Sequence, residues 1–329
     1  YTAATWAADV LKLRPGDICF SVPKIYFAYG FGNSVTFPMA AGAASVLMTG
    51  RPDPARVFEA IARHRPTHFF GLPTLYTALA RHAAAETADL SSVRLCLSAA
   101  EILSGDIARA WRERFGLEIV EGLGSTEMLH IYLSNRPGAV RQGSAGQAVP
   151  GYAIRLVTPE GGEAGPGEEG VMQVAGLSGA EYYWNRPEKT AETMRDGWLD
   201  TGDRFTQDAE GYYFFKGRAD DLVKVSGQWV WPMEIELALN EHPEVHESCV
   251  LALPMADARM TILAFVAPAA GAAPGEALAR RLRDFAKSEL LPHKYPREIR
   301  FLDALPKTGT DKIDRQALRR LAQTPEDAT

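Results

Sequence analysis

An alternation of β-rich runs with helical stretches, sustained up to Arg136, constrains this chain more than any other feature. Asp53-Pro54 reads as an N-cap followed by proline at the first helical position, and Val57, Ile61 and Ala62 supply the apolar stripe that follows. Residues 67–72 form a β-rich run closed by Pro73, ahead of a helical segment from Thr74. Residues 94–98 read as a buried strand, Ser104 as the cap of a helix carrying Ile107, Trp111 and Phe115, and residues 117–120 as a further strand. Strands alternating with helices of this length imply βαβ units and a parallel sheet.

The pattern changes after Arg136-Pro137-Gly138. Residues 152–157 and 170–174 read as strands joined by a Gly/Pro/Glu-rich turn region, which predicts a β-hairpin part beside the α/β part. A second unit is expected from about Gly217. Its elements are a helix over 232–240, strands over 249–253 and 262–267, and an amphipathic helix over 276–290 with Leu278, Leu282, Phe285 and Leu290 on one face. The expected class is therefore α/β: a large N-terminal domain, in part, with a βαβ sheet and a β-hairpin subdomain over 1–217, then a small mobile α+β domain over 218–329.

Composition narrows the function classes. At 329 residues the chain is long for one core, which favours two domains. The net charge of −6 lacks the basic footprint of a nucleic-acid binder. Cys19, Cys96 and Cys249 are too scattered for a disulfide framework or a thiolate cage, and a reducing, cytoplasmic setting fits them. The longest apolar stretch, 37–48, is too short for a bilayer, so no membrane partner is expected. His242 and His246 are four apart but separated by Pro243 with no third ligand near, and read as a solvated helix end.

No phosphate-binding G-x-x-x-x-G-K-[ST] loop, G-x-S-x-G elbow or H-E-x-x-H pair is present. The segment Glu121-Gly122-Leu123-Gly124-Ser125-Thr126-Glu127-Met128-Leu129-His130 follows a buried strand, where a parallel sheet opens its ligand crevice. Its small residues suit close approach of backbone amides to a phosphate, and its carboxylate suits Mg²⁺. Alone it would equally suit a helix cap. Three more segments follow in order: Trp198-Leu199-Asp200-Thr201-Gly202-Asp203, Gly217-Arg218-Ala219-Asp220-Asp221 running on to Pro232-Met233-Glu234, and Pro306-Lys307-Thr308-Gly309-Thr310-Asp311-Lys312-Ile313-Asp314-Arg315.

Together these motifs resemble the adenylate-forming superfamily of acyl-CoA ligases, peptide-synthetase adenylation domains and luciferases, over essentially the whole chain. Phe27-Ala28-Tyr29-Gly30-Phe31-Gly32-Asn33 with Phe37-Pro38, residues 125–130, and Leu133-Ser134-Asn135-Arg136-Pro137-Gly138 resemble its benzoate–CoA ligase branch. The resemblance implies activation of an aromatic acid by MgATP to an acyl-adenylate, then transfer to coenzyme A. Thr126 would contact the α-phosphate and Glu127 would hold Mg²⁺, with Glu121, Gly124 and Ser125 completing the nucleotide-binding segment. Asp203 and Arg218 would hold the ribose. Lys312 would be the catalytic lysine, Asp220 the hinge, and Gly227 part of the loop that approaches pantetheine. Ala28, Tyr29, His130 and Ala100 would line the acid pocket.

Read without the resemblance, Tyr29 also fits a core aromatic, Gly227 a turn glycine and Lys312 a solvated loop lysine. Three departures from the family pattern stand out: Ala100 where glycine is usual in Ser98-Ala99-Ala100-Glu101, Leu123 where many relatives place an adenine-stacking aromatic, and Asp311 where glycine is usual. Lys312 is also a candidate for a lysine acetyltransferase, since losing its charge would silence adenylation. The family's β,γ-phosphate loop belongs upstream of Tyr1. Residues 1–329 alone are therefore expected to expose unpaired sheet and to be weak or inactive. The alternatives left open are an adenylation domain that loads a carrier protein and an inactive nucleotide-binding module.

Overall fold

The computed structural model describes residues 1–50, 52–100, 103–219, 223–225, 228–255, 260–291, 294–308 and 313–323. Two compact units divide the chain, Tyr1–Lys216 and Gly217–Thr329. The first opens with β1 (Ile18–Ser21), α1 (Ala28–Phe31), α2 (Phe37–Ala41), β2 (Ala44–Val46), α3 (Pro54–His64), β3 (His68–Gly71) and α4 (Pro73–Arg81). It continues with β4 (Leu95–Ser98), α5 (Gly105–Phe115), β5 (Ile119–Gly124), β6 (Ile131–Ser134) and β7 (Gln147–Ala148). These seven strands form one sheet in the order β2-β1-β3-β4-β5-β6-β7. Pairing is parallel from β2 through β5 and antiparallel from β5 to β7.

Local chemistry sets these boundaries. Asp53 accepts a hydrogen bond from the Arg56 amide and Ser104 one from the Ile107 amide, so both expected N-caps start their helices, α3 and α5. Every residue of β3 and β4 is buried, as befits strands covered on both faces. On one face α3, α4 and α5 lay Val57, Ile61, Leu75, Leu79 and Trp111 against Phe20, Phe69, Cys96 and Ile119. On the other, Cys19, Phe70, Leu97 and Val120 join Trp6, Phe37 and Leu133 in a core shared with the next sheet.

That next sheet is built from β8 (Ala153–Val157), β9 (Glu169–Ala175), β10 (Met194–Arg195) and β11 (Trp198–Gln207), with α6 (Pro187–Thr193) between β9 and β10. Its order is β10-β11-β9-β8, and β12 (Tyr213–Arg218) also pairs with β11. The expected β8–β9 hairpin is present. Residues 28–41 differ from a sequence reading that placed no element there. They are helical, with a π-helical turn Gly32–Thr36 joining α1 to α2. Gly30, a weak helix former, is needed because a Cβ there would lie 2.1 Å from the Lys24 carbonyl oxygen.

The second unit holds the hairpin β13 (Val223–Val225) and β14 (Gln228–Val230), then α7 (Pro232–Glu241), β15 (Val245–Pro254), β16 (Met260–Pro268), α8 (Glu276–Glu289), β17 (Glu298–Phe301) and α9 (Arg315–Gln323). β15 and β16 pair antiparallel, β16 and β17 parallel. Ile235 and Leu239 of α7 and Leu278, Leu282 and Ala286 of α8 cover one face of this sheet. Leu318 of α9 packs with Cys249, Leu251 and Phe265 on the other. His242 ends α7, its ring edge-on to Phe285 at 5.1 Å, which agrees with the helix-end reading. All three cysteines are buried free thiols. Among the described residues no helix is long and apolar enough to cross a membrane.

Candidate active site

The C-terminal end of β4 lies beside the middle of β5, with Ser98 opposite Glu121. Sequence reading ends the strand at Val120, yet β5 runs on to Gly124. At Glu121 its pairing changes partner, from β4 on the parallel side to β6 on the antiparallel side. Two glycines permit this. A Cβ on Gly122 would press on Ile131, and one on Gly124 would lie 2.3 Å from the His130 carbonyl oxygen. These glycines act first as close-approach positions between strands, and Leu123 between them packs against the core.

Residues 125–130 form the connection from β5 to β6. The Ser125 hydroxyl accepts the Met128 amide at 3.3 Å, and the Leu129 amide closes on the Thr126 carbonyl at 3.0 Å, with Leu129 at φ +65°. Thr126 is exposed and Glu127 half-buried, while Met128 and His130 turn into the core. One six-residue turn therefore carries a hydroxyl and a carboxylate outward and an imidazole inward.

That imidazole sits among aromatic rings. His130 lies 4.5 Å from Phe37, 5.0 Å from Trp6 and 5.6 Å from Tyr29, centroid to centroid. Its Nε2 is 3.2 Å from the Tyr29 carbonyl oxygen, so this nitrogen carries the hydrogen and Nδ1 is left as a buried acceptor without a partner among the described residues. Burial pushes its pKa down to about 3 against the smaller upward pull of the Tyr29 carbonyl, so the ring is neutral. Tyr29, reached from α1, also packs edge-on to Phe70. Among the described residues its hydroxyl and the Asn33 amide are buried without a well-formed hydrogen bond. Burial raises the phenol, and nearby Asn33 offsets this only in part. Ala28 precedes Tyr29 in α1 and is half-buried.

The remaining candidates divide clearly. Glu121 accepts the Leu103 amide at 3.2 Å, and burial pushes its carboxyl up to about 8. It therefore holds its proton at neutral pH. Ala100, just past β4, is exposed at φ +72°, a conformation that favours glycine. Asp203 lies where β11 loses its register with β9, between Asp200 and Arg204. The Gly202 amide donates to Asp200 and the Asp203 amide to the Thr201 hydroxyl, so the Thr201-Gly202-Asp203 motif is a folded bulge on the strand. Asp203 and Glu127 both act on the Tyr132 phenol, which burial first and then these two carboxylates hold above its ordinary range. Arg218 ends β12 and is exposed in the second unit. Lys312, Gly227 and Asp220 lie outside the described residues.

Sequence reasoning missed Tyr183, whose hydroxyl donates to Glu127 Oε1 at 2.7 Å. No local signal marks it, because it stands 56 residues away among other aromatics in a loop. Trp6, which packs on His130 and donates to the Ser134 hydroxyl at 3.1 Å, was missed likewise.

Among the described residues no three His, Cys, Asp or Glu side chains cluster as a metal cage. One carboxylate beside one hydroxyl, Glu127 and Thr126, fits a hard cation that takes its other ligands from phosphate and water.

A sequence profile of AMP-binding enzymes matches residues 1–184, and a profile of the AMP-binding enzyme C-terminal domain matches residues 234–312. The chain is 46% identical to a benzoate–CoA ligase of Thauera aromatica over 97% of its own length and 61% of that protein. It is 42% identical to a 4-hydroxybenzoate–CoA/benzoate–CoA ligase of Rhodopseudomonas palustris, over 96% of the chain and 59% of the relative. The crystal structure of an anthranilate–CoA ligase in complex with anthranoyl-AMP superposes with a TM-score of 0.90 at 39% identity, covering 98% of this chain and 62% of that one. The chain thus spans about three fifths of the length of these relatives.

Proposed function

Since the chain belongs to the AMP-binding enzyme family, we propose that the protein of which it is part is an aryl-CoA ligase, activating benzoate or a substituted benzoate with MgATP and passing the acyl group to coenzyme A. The observation that carries this reading is the 125–130 turn, which links an outward Thr126–Glu127 pair to an inward His130 walled by Tyr29, Phe37 and Trp6. A flat apolar ring held against these aromatics would bring its carboxylate toward the end of the turn that presents a hydroxyl and a carboxylate. The names of the three relatives given above, a benzoate–CoA ligase, a 4-hydroxybenzoate–CoA/benzoate–CoA ligase and an anthranilate–CoA ligase, support the same class of acid.

In this reading Thr126 donates to the α-phosphate, Glu127 is the ligand for Mg²⁺, and Asp203 with Arg218 holds the ribose hydroxyls. Bound Mg²⁺ would supply neutralisation of phosphate charge. Phosphoryl transfer of this kind depends on positioning and charge compensation rather than on a covalent protein intermediate. The neutral His130 suits an apolar acid ring, since an imidazolium would carry its charge into the pocket. Lys312 would stabilise charge developing in adenylation, and Gly227 would leave room for pantetheine in the second half-reaction, with Asp220 as the hinge between them.

The test uses the encoding reading frame expressed in full. Pyrophosphate release is followed across benzoates, hydroxybenzoates, aminobenzoates and short aliphatic acids, with and without coenzyme A. Aryl-dependent release with an aryl-CoA product is the expected result, and Lys312→Ala should abolish release while sparing thioester formation from supplied aryl-adenylate. Release without any coenzyme A thioester would instead indicate carrier loading, and no release with any acid would remove the enzymatic reading.

A further inference from the structure

The 125–130 turn is clasped from outside by residues 176–183. The Ser178 hydroxyl donates to the Met128 carbonyl at 2.8 Å, and the Ala180 amide to the Glu127 carbonyl at 2.7 Å. Tyr183 then reaches the Glu127 side chain itself at Oε1. Tyr183 is in turn fixed at its backbone. Its amide donates to the Thr190 hydroxyl at 2.9 Å, and its carbonyl accepts the Arg186 amide at 3.1 Å. Among the described residues Glu127 Oε2 takes part in no hydrogen bond or ion pair.

We propose that Tyr183 is a positioning residue for the Glu127 carboxylate, holding Oε1 so that Oε2 is the oxygen left for the divalent cation carried by the nucleotide. The inference rests on the reading of Glu127 as a cation ligand. A carboxylate on a free two-carbon stem samples several rotamers, whereas one anchored at a single oxygen through a fixed phenol presents the other in one orientation. Outer partners of this kind typically set metal affinity by factors of ten or more when removed. The anchor also explains why a phenol stands here, in an exposed loop next to Tyr182 and Trp184, rather than any other aromatic: only the hydroxyl makes the contact.

The experiment is calorimetric titration of the full-length protein with ATP, in the presence and absence of Mg²⁺, for the unaltered protein, Tyr183→Phe and Glu127→Gln. Tyr183→Phe keeps the ring and removes one oxygen atom. It should weaken ATP binding in Mg²⁺ by roughly tenfold and leave metal-free ATP binding unchanged. Equal weakening with and without Mg²⁺ would show that Tyr183 supports the fold of the turn only, and would overturn the proposal. An unchanged Tyr183→Phe beside a weakened Glu127→Gln would overturn it while leaving Glu127 as a ligand. No effect of Glu127→Gln on binding in Mg²⁺ would overturn both.

Discussion

Gly32 and His130 are in direct contact across the first unit: a Cβ on Gly32 would lie 2.4 Å from His130 Cδ2 and 3.0 Å from Phe37 Cε2. The π-helical turn that carries Gly32 therefore packs its backbone against the imidazole with no room for a methyl group. Gly32→Ala must displace the ring or the turn. Overpacking of this kind costs about 1–3 kcal/mol. In the full-length protein the larger effect is expected on the acid, with KM for benzoate rising while KM for ATP stays near its original value. Parallel changes in both constants would contradict the assignment of His130 to the acid pocket.

Glu121 and His130 titrate in opposite senses, which gives the first unit a distinctive pH profile. Glu121, raised to about 8, binds a proton in the folded state that the unfolded chain releases above its ordinary value near 4.5. Folding stability from this group is full below about 4.5 and is lost as pH rises toward 8. His130, lowered to about 3, stays neutral when folded, whereas the unfolded imidazole charges below its ordinary 6.5. Stability from His130 is therefore full above 6.5 and is lost as pH falls toward 3. Between 4.5 and 6.5 the two slopes offset each other. The summed contribution of these two groups should be flat in that window and fall on both sides, while His68, also lowered by burial, adds to the loss of stability on the acid side. Glu121→Gln should remove the alkaline decline and leave the acid one.

What the sequence made legible here follows from how local each signal is. The caps at Asp53 and Ser104, the short β-rich runs that become the fully buried β3 and β4, and the β8–β9 hairpin are written in neighbouring residues, and each could be placed. The helical run through α1 and α2 could not, because Gly30 and Gly32 oppose a helix locally and are tolerated for close packing visible only in three dimensions. Gly122 and Gly124 suggested a phosphate loop, yet both lie inside β5, where Ile131 and His130 press on the backbone. Tyr183 acts across 56 residues, and no periodicity carries such a contact. The grouping of Thr126, Glu127 and His130 was legible because six consecutive residues hold it. The ring of Trp6, Phe37 and Tyr29 around His130 required the fold.

Ala100 offers a substitution that should improve the protein. It holds φ +72° directly after β4, where a side chain strains the backbone and glycine does not. Ala100→Gly relieves that strain, at the expense of some added freedom in the unfolded chain. A net gain of about 1 kcal/mol is expected from the usual cost of a left-handed L-residue, read as a higher urea midpoint at unchanged slope. A lower midpoint would mean that the Ala100 methyl makes packing contacts worth more than the strain it causes.

In the second unit, Arg315 at the start of α9 donates to both carboxylate oxygens of Glu236 at 2.6 Å and to the Val250 carbonyl at 3.1 Å, and Glu236 also accepts the Val250 amide at 2.6 Å. The pair ties α7, β15 and α9 together just past the segment that carries Lys312. Burial nonetheless outweighs the guanidinium, and the Glu236 carboxyl stays above its ordinary value. Arg315→Met removes the opposing charge, so Glu236 will take up a proton rather than remain a buried lone anion. Breaking such a pair from one side costs about 3–5 kcal/mol. The variant should also show a stronger pH dependence than the unaltered protein, in which Glu236 is already raised. With the folded pKa raised further and the unfolded value unchanged, its stability is highest below about pH 4.5 and declines as pH rises through neutrality. Adding Glu236→Gln to Arg315→Met should abolish that decline. A single variant whose denaturant midpoint is independent of pH between 5 and 8 would show that water, rather than a proton, replaces the lost guanidinium.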